Sequence, residues 1–433
     1  MSLPVVGAIG IAVMVILFLL RMPISFSMLI SGVVGVSLLV NPVAGLGLLG
    51  LDFFTQASMY TITVIPMFVL AGSIAFEAGI GNRILNFAYT IAGRLPGSLC
   101  IATIVACAGF GAICGSSAAT AAALGRVVLP VMRKFKYNDS LSAGSIAVGG
   151  TLAVMIPPST VFMVYGILTE QSIGKLFIAG LLPGLLLTVM YGINILVRCK
   201  LNKSLAPLGP SLTIKEKVQG FTGVVEVLIL FILVIGGLFL GWFSPTQAGA
   251  VLAMGVLVVS LARRSLTGQG FVAALKDSTR ISGMIIFIMA AALIFSRFVN
   301  QARIPFIVSD FLSIFGNRWV VYVIIMIVYA IGGCFMDGMA LVTIFLPIMY
   351  PTVLAQGFDP IWFGVVLCAN GEMGMVTPPF GMNVFVTKGL VKDLALETVF
   401  KGVIPFVITD LLFIIIISAF PQIALFLPSF ITY

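Results

Sequence analysis

Four places in the sequence combine polar residues with glycine or proline inside long apolar runs. They are Gly115-Ser116-Ser117, Met155–Ser159, Met336-Asp337-Gly338 and Val376–Pro379, and the second and fourth each contain a Pro-Pro pair. Proline has no backbone N–H and disrupts the helical hydrogen bond to the preceding turn, so it leaves carbonyl oxygens without partners. Carbonyl and hydroxyl oxygens are good ligands for a hard cation. We therefore expect these four breaks to bind sodium ions.

The composition places these breaks in a membrane. Of the 433 residues, 61% are hydrophobic and 9% are charged, whereas a soluble domain has about 45–50% apolar and about 25% charged residues. The apolar runs are continuous and do not alternate, which excludes an outer-membrane barrel. The sequence therefore predicts an all-α polytopic membrane protein. It excludes a soluble enzyme, a nucleic-acid-binding protein and a secreted disulfide scaffold.

Several kinds of catalytic site lack the residues they need. The chain has no histidine, its six cysteines form no C-x-x-C pair, and the phosphate-binding pattern G-x-x-x-x-G-K-[ST] does not occur. We therefore expect neither enzyme activity, nor ATP hydrolysis by that route, nor an organic cofactor.

Ten apolar runs are long enough for a membrane span of roughly 20 residues. They are 4–20, 24–41, 61–80, 140–169, 176–198, 221–241, 246–262, 281–299, 360–388 and 403–420. Two longer segments, 97–134 and 317–356, are interrupted in the middle, so we predict re-entrant hairpins that enter and leave on the same side. The run Val5–Leu20 has neither a basic stretch before it nor a convincing cleavage site after it. It is predicted to be the first span and not a signal peptide.

The distribution of charge supports this topology. If the N-terminus lies outside and neither hairpin crosses, 19 of the 23 Lys and Arg residues fall on the cytoplasmic side, as the positive-inside rule requires. Both termini are then predicted to be periplasmic. The net charge of +9 therefore reports the topology of the chain and not a nucleic-acid partner.

The two halves of the chain share glycine and proline positions at an offset of about 220 residues. The matched pairs include Pro23 with Pro245, Pro130 with Pro347, Gly150 with Gly371, Pro157-Pro158 with Pro378-Pro379, and Gly180 with Gly402. Five crossings in each half make the second copy inverted, and inverted repeats with broken helices are typical of secondary transporters. We predict a first repeat over 1–198, a cytoplasmic linker over 199–220 and a second repeat over 221–433.

Each candidate polar residue also has a purely structural explanation. Asp337 marks an ion or substrate pathway if it lies inside the membrane, or else its carboxylate only caps the next helix. Glu372, one turn before the second Pro-Pro pair, has the same two explanations. Arg126 and Arg297 are either partners for an anion or helix-end residues that extend to the membrane surface. A serine or threonine hydroxyl in such a helix often bonds back to its own backbone.

Three segments carry a resemblance to a known family. Gly111–Thr120 (GAICGSSAAT), Gly149–Ser159 (GGTLAVMIPPS) and Gly374–Gly381 (GMVTPPFG) resemble the large membrane subunit of tripartite ATP-independent periplasmic (TRAP) transporters. The resemblance runs nearly end to end. It departs at Cys114, where serine is more usual, and at Ala153, where glycine is common.

The resemblance implies an elevator-type, sodium-coupled importer of an organic acid, chiefly sialic acid or a C4-dicarboxylate, in the bacterial inner membrane. It also implies two partners, a small four-helix membrane subunit and a soluble periplasmic binding protein that delivers the substrate. At about 100 mV and a tenfold sodium gradient, two sodium ions leave about 5 kcal/mol for importing a monoanion. We therefore expect at least two sodium ions for each substrate.

The resemblance also assigns residues to these ligands by their positions in the shared motifs. The first sodium ion would bind Ser116 and Ser117 with the backbone of Ala153, Ile156 and Pro158. The second would bind the backbone of Met336 and Gly338, with Gly374 and Thr377. Substrate would lie near Thr120, Ser159 and Asp337.

Two other classes of protein remain open. A stand-alone sodium/carboxylate or anion symporter would share the hairpin architecture and would need no binding protein. A channel would not need inverted repeats, and single-channel conductance would reveal it.

Overall fold

The computed structural model describes residues 2–209, 213–391 and 393–431 of the chain, and these ranges are almost entirely helical. The first half contains α1 Leu3–Leu19, α2 Ile24–Leu39, α3 Pro42–Ser58, α4 Val64–Glu77, α5 Ile80–Ala92, α6 Ser98–Cys114, α7 Ser117–Lys134, α8 Asp139–Met155, α9 Thr160–Thr169 and α10 Ile173–Leu201. The second half contains α11 Ile214–Thr222, α12 Val225–Phe239, α13 Pro245–Ala262, α14 Gly268–Gln301, α15 Ile304–Ser313, α16 Arg318–Phe335, α17 Gly338–Ala355, α18 Pro360–Gly374, α19 Met382–Gly389, α20 Leu396–Ala419 and α21 Gln422–Leu425.

Eight helical stretches in these ranges are long and apolar enough to cross a membrane. They are 60–77, 139–169, 173–201, 245–262, 268–301, 318–335, 338–355 and 396–419, with a ninth if the bent pair 215–222 and 225–239 counts as one span. The helices at the first two predicted spans, α1 and α2, are apolar but slightly shorter, at 17 and 16 residues. The chain is therefore a multi-pass helical membrane protein, as its composition predicted.

Both predicted hairpins are pairs of helices that pack against each other, α6 with α7 and α16 with α17. The observed hairpins cover 98–134 and 318–355, within one residue of the predicted bounds. The arms of the second hairpin have 18 residues each, which is about 27 Å at 1.5 Å per residue. Because such an arm is nearly as long as a span, the re-entrant placement of the hairpins stays a prediction.

Several helices were missed or cut short in the sequence analysis. Helices α3, α5 and α15 lie outside the ten predicted spans, and α14 begins 13 residues before the predicted run 281–299. The added part of α14 contains charged residues, which lower its hydropathy below that of a span. A local signal for its start is Thr267, whose side chain caps the helix by accepting a hydrogen bond from Gly270 N. The predicted linker 199–220 contains the end of α10 and most of α11. Residues 210–212 of this linker lie outside the described ranges, and so does Lys392, one of the 19 positive residues predicted to be cytoplasmic.

Two helices form the centre of the protein. Helix α8 packs against α6, α7 and α20, and every residue of Leu141–Met155 is buried. Small residues allow this close packing, since a Cβ on Gly144 would lie only 2.5 Å from the Gly402 carbonyl oxygen on α20. Helix α18 of the second half is buried over Ile361–Gly374.

The N-terminal helices of each half pack against the other half. Helix α2 lies along α14, and α4 lies along α13. A second, smaller apolar cluster joins α1 and α2 to the C-terminal part of α14 through side chains such as Met28, Phe295 and Phe298. The two halves are therefore interlocked around the hairpins.

Candidate functional site

The first break separates α8 from α9 and is entirely buried. Helix α8 ends at Met155, Ile156 has an extended backbone, and a cis peptide bond joins Pro157 to Pro158. Ser159 begins the next helix, and its side chain accepts a hydrogen bond from Phe162 N at 3.3 Å. Ser159 is therefore an N-cap of α9, with a fully buried hydroxyl.

The first hairpin tip packs directly on this break. Gly115 has φ +62°, and a Cβ there would lie 2.7 Å from the Pro158 carbonyl oxygen. The Thr160 hydroxyl donates to the Gly115 carbonyl oxygen at 3.0 Å. One helical turn earlier, a Cβ on Gly111 would overlap the Ala153 backbone. The structure thus brings the tip residues Ser116 and Ser117 together with the segment Ala153–Pro158, the set predicted for the first sodium ion.

The two serines of this tip have different surroundings. Ser116 is half-buried, and no side-chain hydrogen bond links it to the start of α7. Ser117 is buried, and its hydroxyl accepts from Asn383 Nδ2 at 2.7 Å. The same amide donates to the Ala147 carbonyl oxygen at 3.2 Å. Asn383 of α19 therefore ties the first hairpin and α8 to the second half of the chain.

The second break is similar in plan but lies at the surface. A Cβ on Gly374 would lie 2.6 Å from Gly333 Cα, so α18 touches the second hairpin as Ala153 touches Gly111. The Thr377 hydroxyl donates to the Met373 carbonyl oxygen at 2.6 Å, which is the back-bonding alternative considered from the sequence. Pro378, Pro379 and Phe380 are exposed.

At the second hairpin tip, Met336 is half-buried and Gly338 is buried. A Cβ on Gly338 would lie 3.3 Å from Glu372 Oε1. Asp337 is half-buried, and its Oδ1 accepts from Ala340 N at 2.8 Å. The carboxylate of Asp337 thus caps α17.

A cavity of about 210 Å³ opens between the first hairpin, α4 and α14. Its polar lining residues are Ser73, Ser116, Arg126, Thr160 and Asp277, and its wall also includes Cys114 and Met339. The three residues predicted to lie near substrate are not part of this wall. Thr120 and Ser159 are fully buried behind it, and Asp337 belongs to the opposite tip.

The structure separates the two candidate arginines. Arg297 forms an ion pair with Asp52 of α3 at 2.8 Å, and Asp52 is only 1% exposed. Arg126, in contrast, makes no ion pair with any residue in the described ranges. Of the two, Arg126 is the one without an ion pair, and it lines the cavity together with Asp277.

The sequence matches a family model over nearly its whole length. The model describes the DctM component of tripartite ATP-independent periplasmic transporters and matches residues 11–423. The chain belongs to this family. As a DctM-family chain it is a transporter component and not an enzyme.

Curated relatives of this DctM-family chain span almost its full length. The C4-dicarboxylate TRAP transporter large permease protein DctM of Pseudomonas aeruginosa is 34% identical over 88% of this chain and 89% of its own. The sialic acid TRAP transporter large permease protein SiaM of Vibrio cholerae is 31% identical over 88% and 90%. The ectoine TRAP transporter large permease protein TeaC of Halomonas elongata is 30% identical over 97% and 98%.

A solved structure, that of the Alcanivorax borkumensis YdaH transporter, shares the fold of this DctM-family chain. The TM-score is 0.56, with 12% identity, over 90% of this chain and 89% of the other. At this identity the likeness concerns the fold alone.

Some polar residues of the DctM-family chain were not singled out from the sequence. Asn383, Tyr191 and Asp410 are buried, and the Tyr191 hydroxyl donates to Asp410 Oδ1. An amide or carboxylate inside an apolar helix is the signal that points to such residues. What the sequence does not contain is the identity of their partners, which are more than 200 residues away.

Proposed function

We propose that this chain is the transport subunit of a sodium-coupled importer of organic acids. The observation that carries the proposal is the contact between the first hairpin tip and the first break, next to a cavity that Arg126 faces. The hydroxyl oxygens of Ser116 and Ser117 and carbonyl oxygens of the break are proposed to converge there. They supply the hard oxygen ligands that a sodium ion needs, and the arginine supplies a partner for a carboxylate.

The second sodium ion is proposed to bind at the second break, with the backbone of Met336, Gly338 and Gly374 and the Thr377 side chain. Its support is the matched close contact of Gly333 with Gly374. The Thr377 hydroxyl donates its proton to the Met373 carbonyl oxygen, and the lone pairs of the hydroxyl oxygen stay free for a cation.

An inverted repeat is proposed for the architecture. Its support is the order of elements, because the hairpin α6–α7, the broken helix α8–α9 and the long helix α10 recur as α16–α17, α18–α19 and α20. The reciprocal packing of α2 on α14 and of α4 on α13 also relates the halves. An elevator-type movement would carry the hairpins and broken helices past these outer helices.

The substrate and the partners are proposed from the relatives. Those named for C4-dicarboxylates and sialic acid favour an organic acid, and Arg126 suits its carboxylate. A small membrane subunit and a periplasmic binding protein would complete an inner-membrane importer with periplasmic termini. Asp337, Thr120 and Ser159 are proposed to line the substrate site once the hairpins meet.

Uptake into proteoliposomes tests this function. The chain is reconstituted with its small subunit, and the binding protein with its radiolabelled substrate is added outside. We expect uptake that stops when sodium is replaced by potassium, and equal uptake in potassium would overturn the proposal. Uptake without the binding protein would instead favour a stand-alone symporter.

Matched variants sharpen the assay at the first site. Ser116→Ala removes a hydroxyl from the proposed sodium site, and we expect the half-saturating sodium concentration to rise about tenfold, the equivalent of one lost ligand of about 1.4 kcal/mol. Ser37→Ala is the control, since Ser37 Oγ only donates to the Val33 carbonyl oxygen of its own helix. The same shift in both variants would contradict the assignment of Ser116.

A further inference from the structure

Arg83 of α5 is a half-buried arginine whose guanidinium group lacks an acceptor. Both of its Nη atoms are buried and make no hydrogen bond within the described ranges. Arg83 also forms no ion pair with any residue in those ranges. Guanidinium nitrogens that are removed from water are unfavourable unless an acceptor binds them. Arg83 therefore indicates that an anionic ligand belongs at this place in the fold.

Two charged groups lie near Arg83, and together the three leave one positive charge in excess. The neighbours are Arg263 at the C-terminal end of α13 and Glu226 in the first turn of α12. Glu226 Oε1 accepts from Nε and Nη2 of Arg263, at 3.0 and 2.5 Å. Two arginines thus share one carboxylate, and we call these three residues the arginine cluster. A ligand with one net negative charge would neutralise it.

The carboxylate of the arginine cluster adds a second requirement. Glu226 Oε2 is buried and has no hydrogen-bond donor among the residues that the structure describes. The cluster therefore lacks a donor at Glu226 as well as an acceptor at Arg83. A ligand that satisfies both carries an anionic group together with a hydroxyl group.

The arginine cluster lies at the level of the membrane surface. Arg263 directly follows the membrane span 245–262, and Glu226 begins the apolar helix α12, which packs against α13. Within two turns of these charged residues, Ile229, Val258 and Leu261 are exposed. A phospholipid presents the same order of groups, with its phosphate at the surface and its acyl chains beside apolar side chains.

We propose that the arginine cluster binds the headgroup of an anionic phospholipid of the phosphatidylglycerol type. A phosphate oxygen accepts from the Nη atoms of Arg83, and a hydroxyl group of the headgroup donates to Glu226 Oε2. The bound lipid joins α5, which leads into the first hairpin, to α12 and α13 of the second half. This inference is independent of the proposed sodium ions and of the proposed substrate.

The test is the unfolding midpoint of the full chain in detergent with added lipid. Phosphatidylglycerol, phosphatidylethanolamine and phosphatidylcholine with the same acyl chains are titrated separately, and soluble glycerol phosphate is titrated as the free headgroup. We expect phosphatidylglycerol to raise the midpoint more than the two lipids without net charge do, because a ligand stabilises the folded state that binds it. Glycerol phosphate should have no effect at the same concentrations, since it lacks acyl chains.

Arg83→Gln removes the proposed phosphate donor. We expect the phosphatidylglycerol concentration for half-maximal stabilisation to rise about tenfold, the loss of one charge-assisted hydrogen bond. Arg280→Gln is the control, because Arg280 is an exposed arginine of α14 that also has no ion pair in the described part of the chain. It should leave this concentration unchanged. An equal rise in both variants would overturn the assignment of Arg83, since it would report only the general attraction of an anionic lipid to a basic protein.

Glu226→Gln gives a change of the opposite sign. It removes the negative charge of the arginine cluster, so half-maximal stabilisation should need less phosphatidylglycerol than in the wild type. An unchanged or higher concentration would contradict the proposal. This variant decides the question if Arg83→Gln does not fold, as judged by gel filtration.

The remaining outcomes identify other occupants of the cluster. Equal stabilisation by all three lipids would overturn a specific headgroup, and equal stabilisation by glycerol phosphate would replace the lipid with a free anion. The titration is then repeated on the chain together with its small membrane subunit. Loss of the phosphatidylglycerol effect in that complex would show that the subunit covers the cluster and would overturn the lipid.

Discussion

The two Pro-Pro breaks have the same local plan and opposite surroundings. Around Pro157-Pro158 every residue from Thr151 to Gly166 is buried, whereas Pro378, Pro379 and Phe380 are exposed. At the first break the Thr160 hydroxyl bonds the Gly115 carbonyl oxygen of the hairpin tip, and Asn383 bonds Ser117 of the same tip. The second has one backbone hydrogen bond to its hairpin, from Gly381 N to the Cys334 carbonyl oxygen at 3.3 Å. It is otherwise held by the contact of Gly333 with Gly374 and by the half-exposed rings of Phe335 and Phe380, 5.2 Å apart.

This difference indicates which of the two breaks is held more rigidly. Buried hydrogen bonds that join distant segments stabilise a single arrangement, while an exposed loop held by few contacts opens at lower free energy. We therefore expect the first hairpin and break to stay assembled as a unit. The second hairpin and break are then the elements able to shift relative to the first.

The largest expected loss of stability comes from adding a methyl group where the first hairpin contacts α8. Gly111→Ala would place a Cβ on the Ala153 backbone, and overpacking there should destabilise the protein by about 3 kcal/mol. Gly374→Ala, the matched change in the second half, should lose about 2 kcal/mol, because the neighbouring loop is exposed and can shift. The unfolding midpoint in detergent measures both.

Gly283→Ala is the control for this pair, since no atom lies within 4 Å of the added Cβ. Equal destabilisation at Gly111 and Gly374 would contradict the claim that the first break is the more rigid.

The next effect concerns two buried asparagines. Asn383→Ala leaves the Ser117 hydroxyl and the Ala147 carbonyl without their donor, and we expect a loss of about 2 kcal/mol together with weaker sodium binding. Asn370→Ala removes a bond to the Met326 carbonyl oxygen in the second half. It should lower stability by a similar amount and leave sodium binding unchanged, as sodium-dependent thermal stabilisation would report.

A smaller effect is expected from the two threonines at the breaks. Thr160→Val removes the bond to the Gly115 carbonyl and should destabilise the protein by about 1 kcal/mol. Thr377→Val removes only a bond to its own helix, so the change in the unfolding midpoint should be close to zero. A larger loss in Thr377→Val would show that the second break is held more tightly than its exposure indicates.

The smallest effect concerns an ion pair on the surface between the halves. Arg133 of α7 bonds Asp393 in the loop after α19 at 3.1 Å, and this hydrogen bond holds the pKa of the Asp393 carboxyl below its ordinary value. A lowered pKa contributes stability above the ordinary pKa of about 4, and that stability is lost as the pH falls through the lowered value. The unfolding midpoints of wild type and Asp393→Asn should differ slightly at pH 7 and converge below pH 4.

Local features of the sequence predicted much of the fold and part of the site. Gly115 and Asp337 mark the hairpin tips, and the Pro-Pro pairs mark the broken helices, because backbone preference acts within a few residues. Amphipathic helices such as α5 were not predicted, because their polar faces lower the mean hydropathy by which spans are recognised. The tip-to-break contact was expected from the family resemblance, and the structure places those residues together.

The sequence by itself determined the membrane class of the chain, the positions of its breaks and the kinds of atoms offered there. Composition is the same in any fold, and glycine and proline set the backbone preference of the few residues around them. These features therefore do not depend on which distant segments pack nearby. Only the tertiary structure decided which break is buried, that Arg297 is paired while Arg126 faces the cavity, and that Asn383 joins the first hairpin to α8. These depend on partners hundreds of residues away, which packing alone brings within reach.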